Sequence, residues 1–384
     1  MACGTRHALS AWDDPKRGIG CGRDVIVKAF TKTAAGDSSA RVVADRFEAS
    51  SPRTNDKPAA LENVYLVIEG SDPDLKKTAF LISGHYDSMC SDIMDSKCDA
   101  PGADDDASGT TVAIEAAVLL AGRSHRATLV FAALAGEEQG LLGGKRLVAW
   151  TKEQGFTVGG VLNNDIVGAT NGSKDVRPRV FCEDDAQTPA RSLGLWLDEF
   201  IGRDAVRLVF HKDRFGRGGD HLPFLEAGLP AIRFTEPRED YRHQHQTPRL
   251  ENGVEYGDLT KFMDFALLAR VARINAEAAL RLANAPAPPS SAVSEGAVKP
   301  DTTVTFDAGA DPLRTGFEIL TRDTTEARWK VLRTVAAAGA VTLEGVRIDD
   351  QLFAVRAVGK NGERSIAVEA KPQVRRPAGA PPAK

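Results

Sequence analysis

Cysteine is scarce in this sequence, and no two cysteines form a Cys-x-x-Cys pair. Only five occur in the 384 residues, namely Cys3, Cys21, Cys90, Cys98 and Cys182. This spacing argues against a structural metal site built from thiolates. Seven residues separate Cys90 from Cys98, so the pair could close a small disulfide in an oxidising compartment or remain two thiols. The sequence leaves both alternatives open.

Long hydrophobic runs and an excess of one charge are also absent. No apolar stretch approaches the roughly 20 residues that a membrane-spanning helix needs, and residues 1–20 contain no hydrophobic signal core. The 49 basic and 53 acidic residues give a net charge of -4. No cluster of Lys and Arg is interleaved with aromatic residues. We therefore expect no membrane span and no nucleic-acid partner.

The chain is long enough for one large and one small domain, and 42% hydrophobic residues suffice for packed cores. Residues 1–21 show no periodicity and are predicted to form an irregular lead-in. From 22 to 284, apolar strand patterns alternate with amphipathic helix patterns, the last of which covers 258–282. This alternation predicts an α/β domain with a mainly parallel mixed sheet flanked by helices.

The pattern changes after residue 284. Residues 285–300 are rich in Pro, Ala and Ser and are predicted to form a linker. From 301 to 371 the apolar period becomes two, and six short strand patterns predict a small all-β sandwich domain. Within it, residues 352–365 resemble the penultimate strand and final turn of a fibronectin type III domain. Residues 372–384 are predicted to form a disordered Pro/Ala tail.

Three adjacent carboxylates, Asp104, Asp105 and Asp106, directly precede an apolar helix pattern. Like charges this close repel one another, so either a helix N-terminus or a cation must offset them. Alone, the triplet would be interpreted as an acidic helix cap, because Asp is a preferred N-cap residue. The other polar residues of the chain decide between the two readings.

Further metal-type ligands each follow an apolar run: His85, Asp87, Glu137, Glu138, Asp165 and His245. The carboxyl ends of parallel strands share one edge of a sheet, so we expect these side chains to gather beside the Asp triplet. Imidazoles and carboxylates without thiolates suit Zn2+ or a similar divalent metal. They outnumber what one tetrahedral ion takes from protein, which predicts two metals.

Five short motifs follow one another along the chain: Gly84-His85-Tyr86-Asp87-Ser88, Pro101 to Gly109, Gly136 to Leu141, Asn164-Asp165 and Gly219-Asp220-His221. In this order they resemble the di-zinc metallopeptidases of family M28, the aminopeptidase Y/S and leucyl aminopeptidase-like proteins. The resemblance covers about residues 22–284. It implies a zinc-dependent aminopeptidase with two zinc ions per chain, acting on peptides that have a free N-terminus.

Position by position, the resemblance implies five metal ligands: His85, Asp105, Glu138, Asp165 and His245. Asp105 would bridge the two zinc ions, with His85 and Asp165 beside one ion and the remaining pair on the other. Glu137 would be the general base that takes a proton from the attacking water. Tyr241 is a candidate hydrogen-bond donor to the oxyanion.

Two details of the ligand set are less determined. His243 competes with His245 for the last ligand position, and His245 is preferred because a short Gln246-Thr247-Pro248 turn follows it. The Asp that the family often has just downstream is missing here. Asp87 is expected to orient the imidazole of His85 as a hydrogen-bond acceptor.

Two other functions stay open on the same fold. One is a single-zinc glutaminyl cyclase-like enzyme, against which the presence of both His85 and Asp165 favours two metals. The other is a non-catalytic binding protein, against which the presence of Glu137 argues. The resemblance implies a periplasmic or secreted protein, yet no signal core is found, so a cytoplasmic location remains an alternative. We expect a monomer.

Overall fold

The chain divides into two compact units between Asn284 and Ala285. The computed structural model describes residues 3–182, 189–211 and 218–373. The first unit contains a large mixed sheet flanked by helices, and the second is built from β-strands. The fold class predicted from the sequence is therefore confirmed. Among the described residues, no helix has the length and apolar character needed to cross a bilayer.

The sheet of the first unit has eight strands: β1 (Ala40–Ala49), β2 (Ala59–Ile68), β3 (Thr78–His85), β4 (Thr128–Leu134), β5 (Thr157–Asn164), β6 (Arg179–Phe181), β7 (Arg207–Val209) and β8 (Ala231–Thr235). Their spatial order is β1-β2-β4-β3-β5-β8-β6-β7. The adjacent strands β4, β3, β5 and β8 run parallel to one another. Their carboxyl ends therefore open on one edge, where open α/β sheets bind ligands.

The described residues of this unit form six α-helices: α1 (Ile19–Ala34), α2 (Ala107–Leu120), α3 (Leu142–Glu153), α4 (Pro189–Phe200), α5 (Leu222–Glu226) and α6 (Phe265–Asn284). Leu147 and Trp150 of α3 and Phe224 of α5 share one core cluster with alternate residues of the central strands. Helix α2 packs against β3 and α6. Every residue of β4 is buried, as expected for a strand covered on both faces.

The last helix of the unit begins later than its apolar pattern predicts. Residues Thr260–Phe262 form a 3-10 turn, and α6 starts only at Phe265. The carboxylate of Asp264 accepts hydrogen bonds from the backbone N–H groups of Ala266 and Leu267, which is the geometry of an N-cap. The predicted start at 258 is wrong because the apolar residues before Asp264 belong to a loop.

A short hairpin of β9 (Arg249–Glu251) and β10 (Val254–Tyr256) lies in this loop region. It separates His245 from Asp258 along the chain. The next buried Asp along the chain, Asp258, follows the second strand of this hairpin. Asp258 is buried, and its contacts are described with the site.

The segment before α1 is packed, not a loose lead-in. A disulfide joins Cys3 to Cys21, and the side chain of Arg6 is fully buried. Its guanidinium donates hydrogen bonds to the carbonyl oxygens of Tyr86 at 2.6 Å, Pro101 at 2.5 Å and Gly102 at 2.8 Å. Residues 3–18 thus form an irregular but packed segment, held by single side chains and not by a periodic apolar face, and α1 begins at Ile19, slightly before the predicted boundary.

The second unit contains two four-stranded sheets. Its strands are β11 (Ser291–Glu295), β12 (Thr302–Asp307), β13 (Arg314–Asp323), β14 (Lys330–Val335), β15 (Gly339–Leu343), β16 (Gln351–Gly359), β17 (Val368–Glu369) and β18 (Lys371–Pro372). The sheet orders are β15-β12-β11-β18 and β14-β13-β16-β17. Phe306 of one sheet and Phe317 of the other pack edge to face at 4.9 Å in a shared core. The fibronectin type III resemblance stays a prediction.

Both boundaries of this unit differ from the sequence prediction. The predicted linker, 285–300, contains β11, whose small residues carry too weak an apolar pattern to be recognised as a strand. At the other end Pro372 belongs to β18, and the N–H of Gln373 donates to the carbonyl oxygen of Ser294 at 2.8 Å. The predicted tail therefore starts too early, and from residue 374 it lies outside the described residues.

The remaining cysteines fall into two classes. Cys90 and Cys98, which the sequence left undecided, form a disulfide. Cys182 is a buried free thiol, and burial raises its pKa to about 12. A thiol held protonated in this way is not a nucleophile.

Candidate metal centre

The predicted site residues come from the carboxyl ends of adjacent parallel strands. His85 is the last residue of β3, Glu137 and Glu138 follow β4, and Asp165 directly follows β5. His245 lies in the loop after β8. The sheet thus brings imidazoles and carboxylates that are far apart in the sequence to one edge.

Asp105 lies between two imidazoles. Its Oδ1 is 3.2 Å from Nε2 of His85, and its Oδ2 is 2.7 Å from Nε2 of His245. The same Nε2 of His245 is 3.1 Å from Oε1 of Glu138. His85, Asp105 and Glu138 each offer a ligand atom within 4.8 Å of the others. One carboxylate therefore faces two separate ligand groups.

Buried ligand atoms of this cluster lack ordinary hydrogen bonds. Nε2 of His85 and Oε1 of Glu138 are buried and make no hydrogen bond with any described residue. Leaving such polar atoms unsatisfied is costly unless another partner completes them. Imidazole nitrogens and carboxylate oxygens directed at one point suit a divalent cation such as Zn2+. The residues present therefore fit a metal ion.

The charges of the cluster shift its pKa values. Partial burial alone would lower the pKa of His245, but Glu138 and Asp105 outweigh it and raise the pKa to about 12. Burial would raise the pKa of Asp105, yet His245 and His85 hold it well below its usual range. The carboxylate of Asp105 is thus stabilised by positive charge on either side, the role that a cation also performs.

Asp106, the third residue of the triplet, holds the loop together. Its Oδ1 accepts from the N–H of Gly109 at 2.8 Å, which makes it the N-cap of α2. Oδ2 accepts from the N–H of His85 at 3.0 Å, and Oδ1 also from Ile166 at 3.3 Å. The peptide bond between Asp105 and Asp106 is cis. The acidic helix cap and the metal-type ligand are therefore neighbouring residues, and both readings of the triplet apply.

Asp258 holds the backbone of Asp104 and Asp105 in place, a role that the sequence did not predict. Its Oδ1 accepts from the N–H of Asp104 at 2.8 Å, and its Oδ2 accepts from the N–H of Asp105 at 2.7 Å. Two charge-assisted bonds thus fix the backbone that carries the central carboxylate. The separation of 153 residues from Asp105 explains why no local motif indicated this contact.

Replacing Asp258 with Ala should weaken metal binding by roughly 10- to 100-fold, as is typical when a group that orients a ligand is lost. The measurement is a titration of metal-free protein with Zn2+ in competition with a chromophoric chelator. Asp264→Asn is the matched control, because Asn also caps a helix and Asp264 does not contact the Asp triplet in any hydrogen bond of the described residues. Unchanged affinity in a folded Asp258→Ala variant would contradict the assigned role.

Asp87 differs from its predicted role. Nδ1 of His85 lies 3.2 Å from the backbone carbonyl oxygen of Asp87, whereas the carboxylate Oδ1 is 3.5 Å away. That carboxylate instead accepts from the N–H groups of Gly136 at 2.8 Å, Glu137 at 3.1 Å and Glu138 at 3.1 Å. Asp87 therefore orients the imidazole mainly through its backbone and uses its carboxylate to shape the loop after β4.

Glu137 lies beside the cluster without joining it. Its Oε2 is 4.0 Å from Nε2 of His85, and its side chain is 12% exposed. Burial raises the pKa of its carboxyl well above the usual range, and Glu138 adds to the effect while His85 opposes it. A carboxyl group with this placement can exchange a proton with a molecule bound at the cluster.

The candidate residues between 241 and 245 make different contacts in the structure. His245 contacts Asp105 and Glu138, whereas His243 stacks on Phe262 with ring centroids 3.8 Å apart. Gln244, which the sequence analysis did not single out, donates from Nε2 to Oδ2 of Asp105 at 3.2 Å. Tyr241 is 62% exposed and is not among the described residues that line the cavity. The oxyanion role predicted for Tyr241 is therefore not supported.

A cavity of about 430 Å³ opens over the cluster. Its polar lining comprises Asp105, Glu137, Glu138, Asp165, Gln244, His245, Arg53 and Arg233. Asp165 forms an ion pair with Arg233, whose Nε lies 3.2 Å from Oδ2. The two arginines were not foreseen. A signal for Arg233 did exist, because it is the one charged residue in the apolar run Ala231-Ile232-Arg233-Phe234.

Comparison with known proteins identifies the family of this chain. A model of peptidase family M28 matches residues 63–268. The chain is 38% identical over 397 residues to a probable zinc metalloprotease of Leptosphaeria maculans, covering 96% of this chain and 91% of that protein. It is also 38% identical over 409 residues to a probable zinc metalloprotease of Pyricularia oryzae, covering 95% and 79%.

Among solved structures, the LapA aminopeptidase of Legionella pneumophila is similar, with a TM-score of 0.53 and 22% identity. The similarity covers 69% of this chain and 65% of that one, slightly under two thirds of its length. At this identity the likeness concerns the fold alone. The family match spans more than half of the chain and the relatives align along nearly all of it, and this chain therefore belongs to peptidase family M28.

Proposed function

We propose that this chain is a zinc-dependent aminopeptidase that hydrolyses the N-terminal peptide bond of peptides. The single observation that carries the proposal is the position of Asp105 between His85 and His245, with Glu137 at the edge of the same cluster. The relatives described above are named zinc metalloproteases, which supports the metal and hydrolysis of peptides. The resemblance of the five motifs to aminopeptidases supports cleavage at the N-terminus.

The five residues named from the motifs would hold two zinc ions. Asp105 would bridge them, with His85 and Asp165 on one ion and Glu138 and His245 on the other. Zinc in this place would supply Lewis-acid polarisation of the scissile carbonyl and a lowered pKa for water. Asp106 and Asp258 would keep the Asp105 backbone in register, because each accepts hydrogen bonds within the loop.

Glu137 would move the proton. Glu138 contacts His245 at 3.1 Å, whereas the carboxylate of Glu137 lies 4.0 Å from His85 and is left to face a bound substrate. Glu137 would accept a proton from the attacking water at a carboxylate oxygen and return it to the leaving amine. Asp87 supports both residues, since its carboxylate accepts from their backbone N–H groups.

We also propose that the protein works outside the cytoplasm, in the periplasm or after secretion. The two disulfides, Cys3 with Cys21 and Cys90 with Cys98, support this location, because reducing compartments keep such pairs as thiols. The monomeric state stays a prediction.

A panel of aminoacyl 4-nitroanilides, each with an N-acetylated counterpart, tests the reaction with and without a chelator. We expect hydrolysis of the free-amine compounds only, its loss with the chelator, its return with Zn2+, and two zinc ions per chain by elemental analysis. Equal cleavage of the acetylated compounds would contradict the aminopeptidase assignment. One zinc per chain with cyclisation of glutaminyl peptides would favour the cyclase, and zinc binding without any reaction would favour a binding protein.

A further inference from the structure

The ligand candidate His245 is held less firmly by packing than the other candidate ligands. Its side chain is 38% exposed, whereas the side chains of the other four are at most 5% exposed. Its φ angle is 54°, in the left-handed region that costs free energy in a residue with a Cβ atom. The position of this imidazole therefore depends on what holds the loop that carries it.

That loop is tied to the rest of the unit on both sides of His245. Before it, Gln244 donates to Asp105, as described above. After it, Thr247 and Ser91 form two reciprocal hydrogen bonds: the N–H of Thr247 donates to Oγ of Ser91 at 3.0 Å, and Oγ1 of Thr247 accepts from the N–H of Ser91 at 3.4 Å. No other described residue outside this loop and its hairpin forms a hydrogen bond with the backbone of residues 245–248.

Ser91 lies in a short loop that is closed by a covalent bond. The disulfide between Cys90 and Cys98 encloses it, and Cys90 is buried. Beside the disulfide, Oγ of Ser88 donates to the carbonyl oxygen of Ala100 at 2.7 Å and closes the base of the same loop. Closure of so short a loop removes much of its conformational freedom. Ser91 therefore offers Thr247 a partner in a fixed position.

The disulfide loop also follows the strand end that carries the first imidazole. Strand β3 ends at His85, and the chain continues directly into this loop. One strand end thus carries His85 itself and, through Ser91, a fixed point for the loop that carries His245. A ligand that is held in place before the metal arrives lowers the ordering cost of binding.

We propose that Ser91 and Thr247 are positioning residues for His245, and that the disulfide between Cys90 and Cys98 keeps Ser91 where this contact forms. Full affinity for the zinc ion on the His245 side then requires the closed disulfide. The inference rests on the zinc centre of the proposed function. It does not depend on which peptides the protein hydrolyses.

The experiment is a titration of metal-free protein with Zn2+ in competition with a chromophoric chelator, which yields a dissociation constant for each ion. The double variant Ser91→Ala with Thr247→Val loses both hydrogen bonds. We expect one of its two constants to rise roughly 10-fold and the other to stay at the wild-type value. Cys90→Ala with Cys98→Ala should have the same selective effect. Thr247→Ser keeps the accepting hydroxyl and should retain both wild-type constants.

Thr342→Val is the matched control, because it removes an exposed hydroxyl that lies 3.2 Å from the hydroxyl of Thr303 in the second unit. Its zinc constants should equal those of the wild type. Circular dichroism of the metal-free samples checks that each variant is folded. If the double variant does not fold, Thr247→Val alone is titrated, because it removes only the longer of the two hydrogen bonds and should raise the same constant.

Unchanged zinc constants in the folded variants, or an equal rise of both constants, would overturn this inference and leave the proposed function standing. The proposed function fails by a different result, namely a wild type that binds zinc but hydrolyses no substrate. The zinc constants would still test the role of Ser91 in that case. A wild type that binds no zinc would contradict both.

Discussion

Glu137→Gln is expected to lower kcat for N-terminal hydrolysis by roughly 100- to 10,000-fold, the usual contribution of a general acid–base group. Glutamine has the same shape as glutamate but cannot accept the proton of the attacking water. Because Glu137 lies 4.0 Å from His85 and is not placed among the metal ligands, the zinc content should stay at the wild-type value. Steady-state kinetics with aminoacyl anilides and elemental analysis of the same samples measure both quantities.

Glu138→Gln is the control for this pair of adjacent residues. An amide is a poor zinc ligand compared with a carboxylate, so this variant should lose one zinc ion together with activity. The two substitutions thus remove one carboxylate each from the same loop but differ in metal content. Wild-type rates in Glu137→Gln would show that the assigned base is wrong, and loss of zinc from it would make Glu137 a ligand.

Asp105→Ala should abolish both hydrolysis and the binding of both zinc ions. The carboxylate of Asp105 faces His85 through one oxygen and His245 through the other, so its removal leaves each half of the ligand set incomplete. Leaving buried groups without their charged partner typically costs about 3–5 kcal/mol, so the metal-free variant should also be tested for folding. Elemental analysis and thermal melting with and without a chelator provide the measurements.

The melting data give the second criterion. Bound zinc stabilises the folded state by mass action, so a chelator should lower the melting temperature of the wild type. The melting temperature of folded Asp105→Ala should not respond to the chelator. Retention of one tightly bound zinc ion by Asp105→Ala would mean that Asp105 serves a single ion, and the bridging role would then have to be abandoned.

The ends of the central strands could be predicted because they depend on short-range patterns. The apolar run of β3 ends at His85 and that of β4 ends before Glu137, and parallel pairing then brings these ends to one edge. The rule that the carboxyl ends of parallel strands share one edge therefore predicts that these residues are neighbours. The helix pattern after the Asp triplet is equally local, and α2 lies directly after the triplet as that pattern predicts.

The residues that were missed act through single long-range contacts. Asp258 reaches Asp104 across 154 residues, and Arg6 reaches Gly102 across 96. Neither contact has a periodic neighbour or a sequence motif that would reveal it. The hairpin of β9 and β10 lies between His245 and Asp258 along the chain. Hydrogen bonds between the backbone of the site and side chains far away in the sequence are thus the part of this site that sequence patterns did not predict.

The predicted boundaries of the second unit were wrong for another physical reason. Strand β11 is stabilised by its ladder with β12, while its own residues, Ser291 to Glu295, are small or polar. Strand β18 is only two residues long and pairs with β11 in parallel. Pairing partners, and not intrinsic propensity, decide whether such short segments form strands.

The segment from Cys3 to Cys21 has a practical implication for handling the protein. Its Arg6 donates to the carbonyl groups of Tyr86, Pro101 and Gly102, which are close to His85 and Asp105 along the chain, and a disulfide joins the two ends of the segment. Dithiothreitol or a similar reagent, commonly added to shield thiols during purification, would release that anchor. Preparations of this protein are therefore best kept free of such additives.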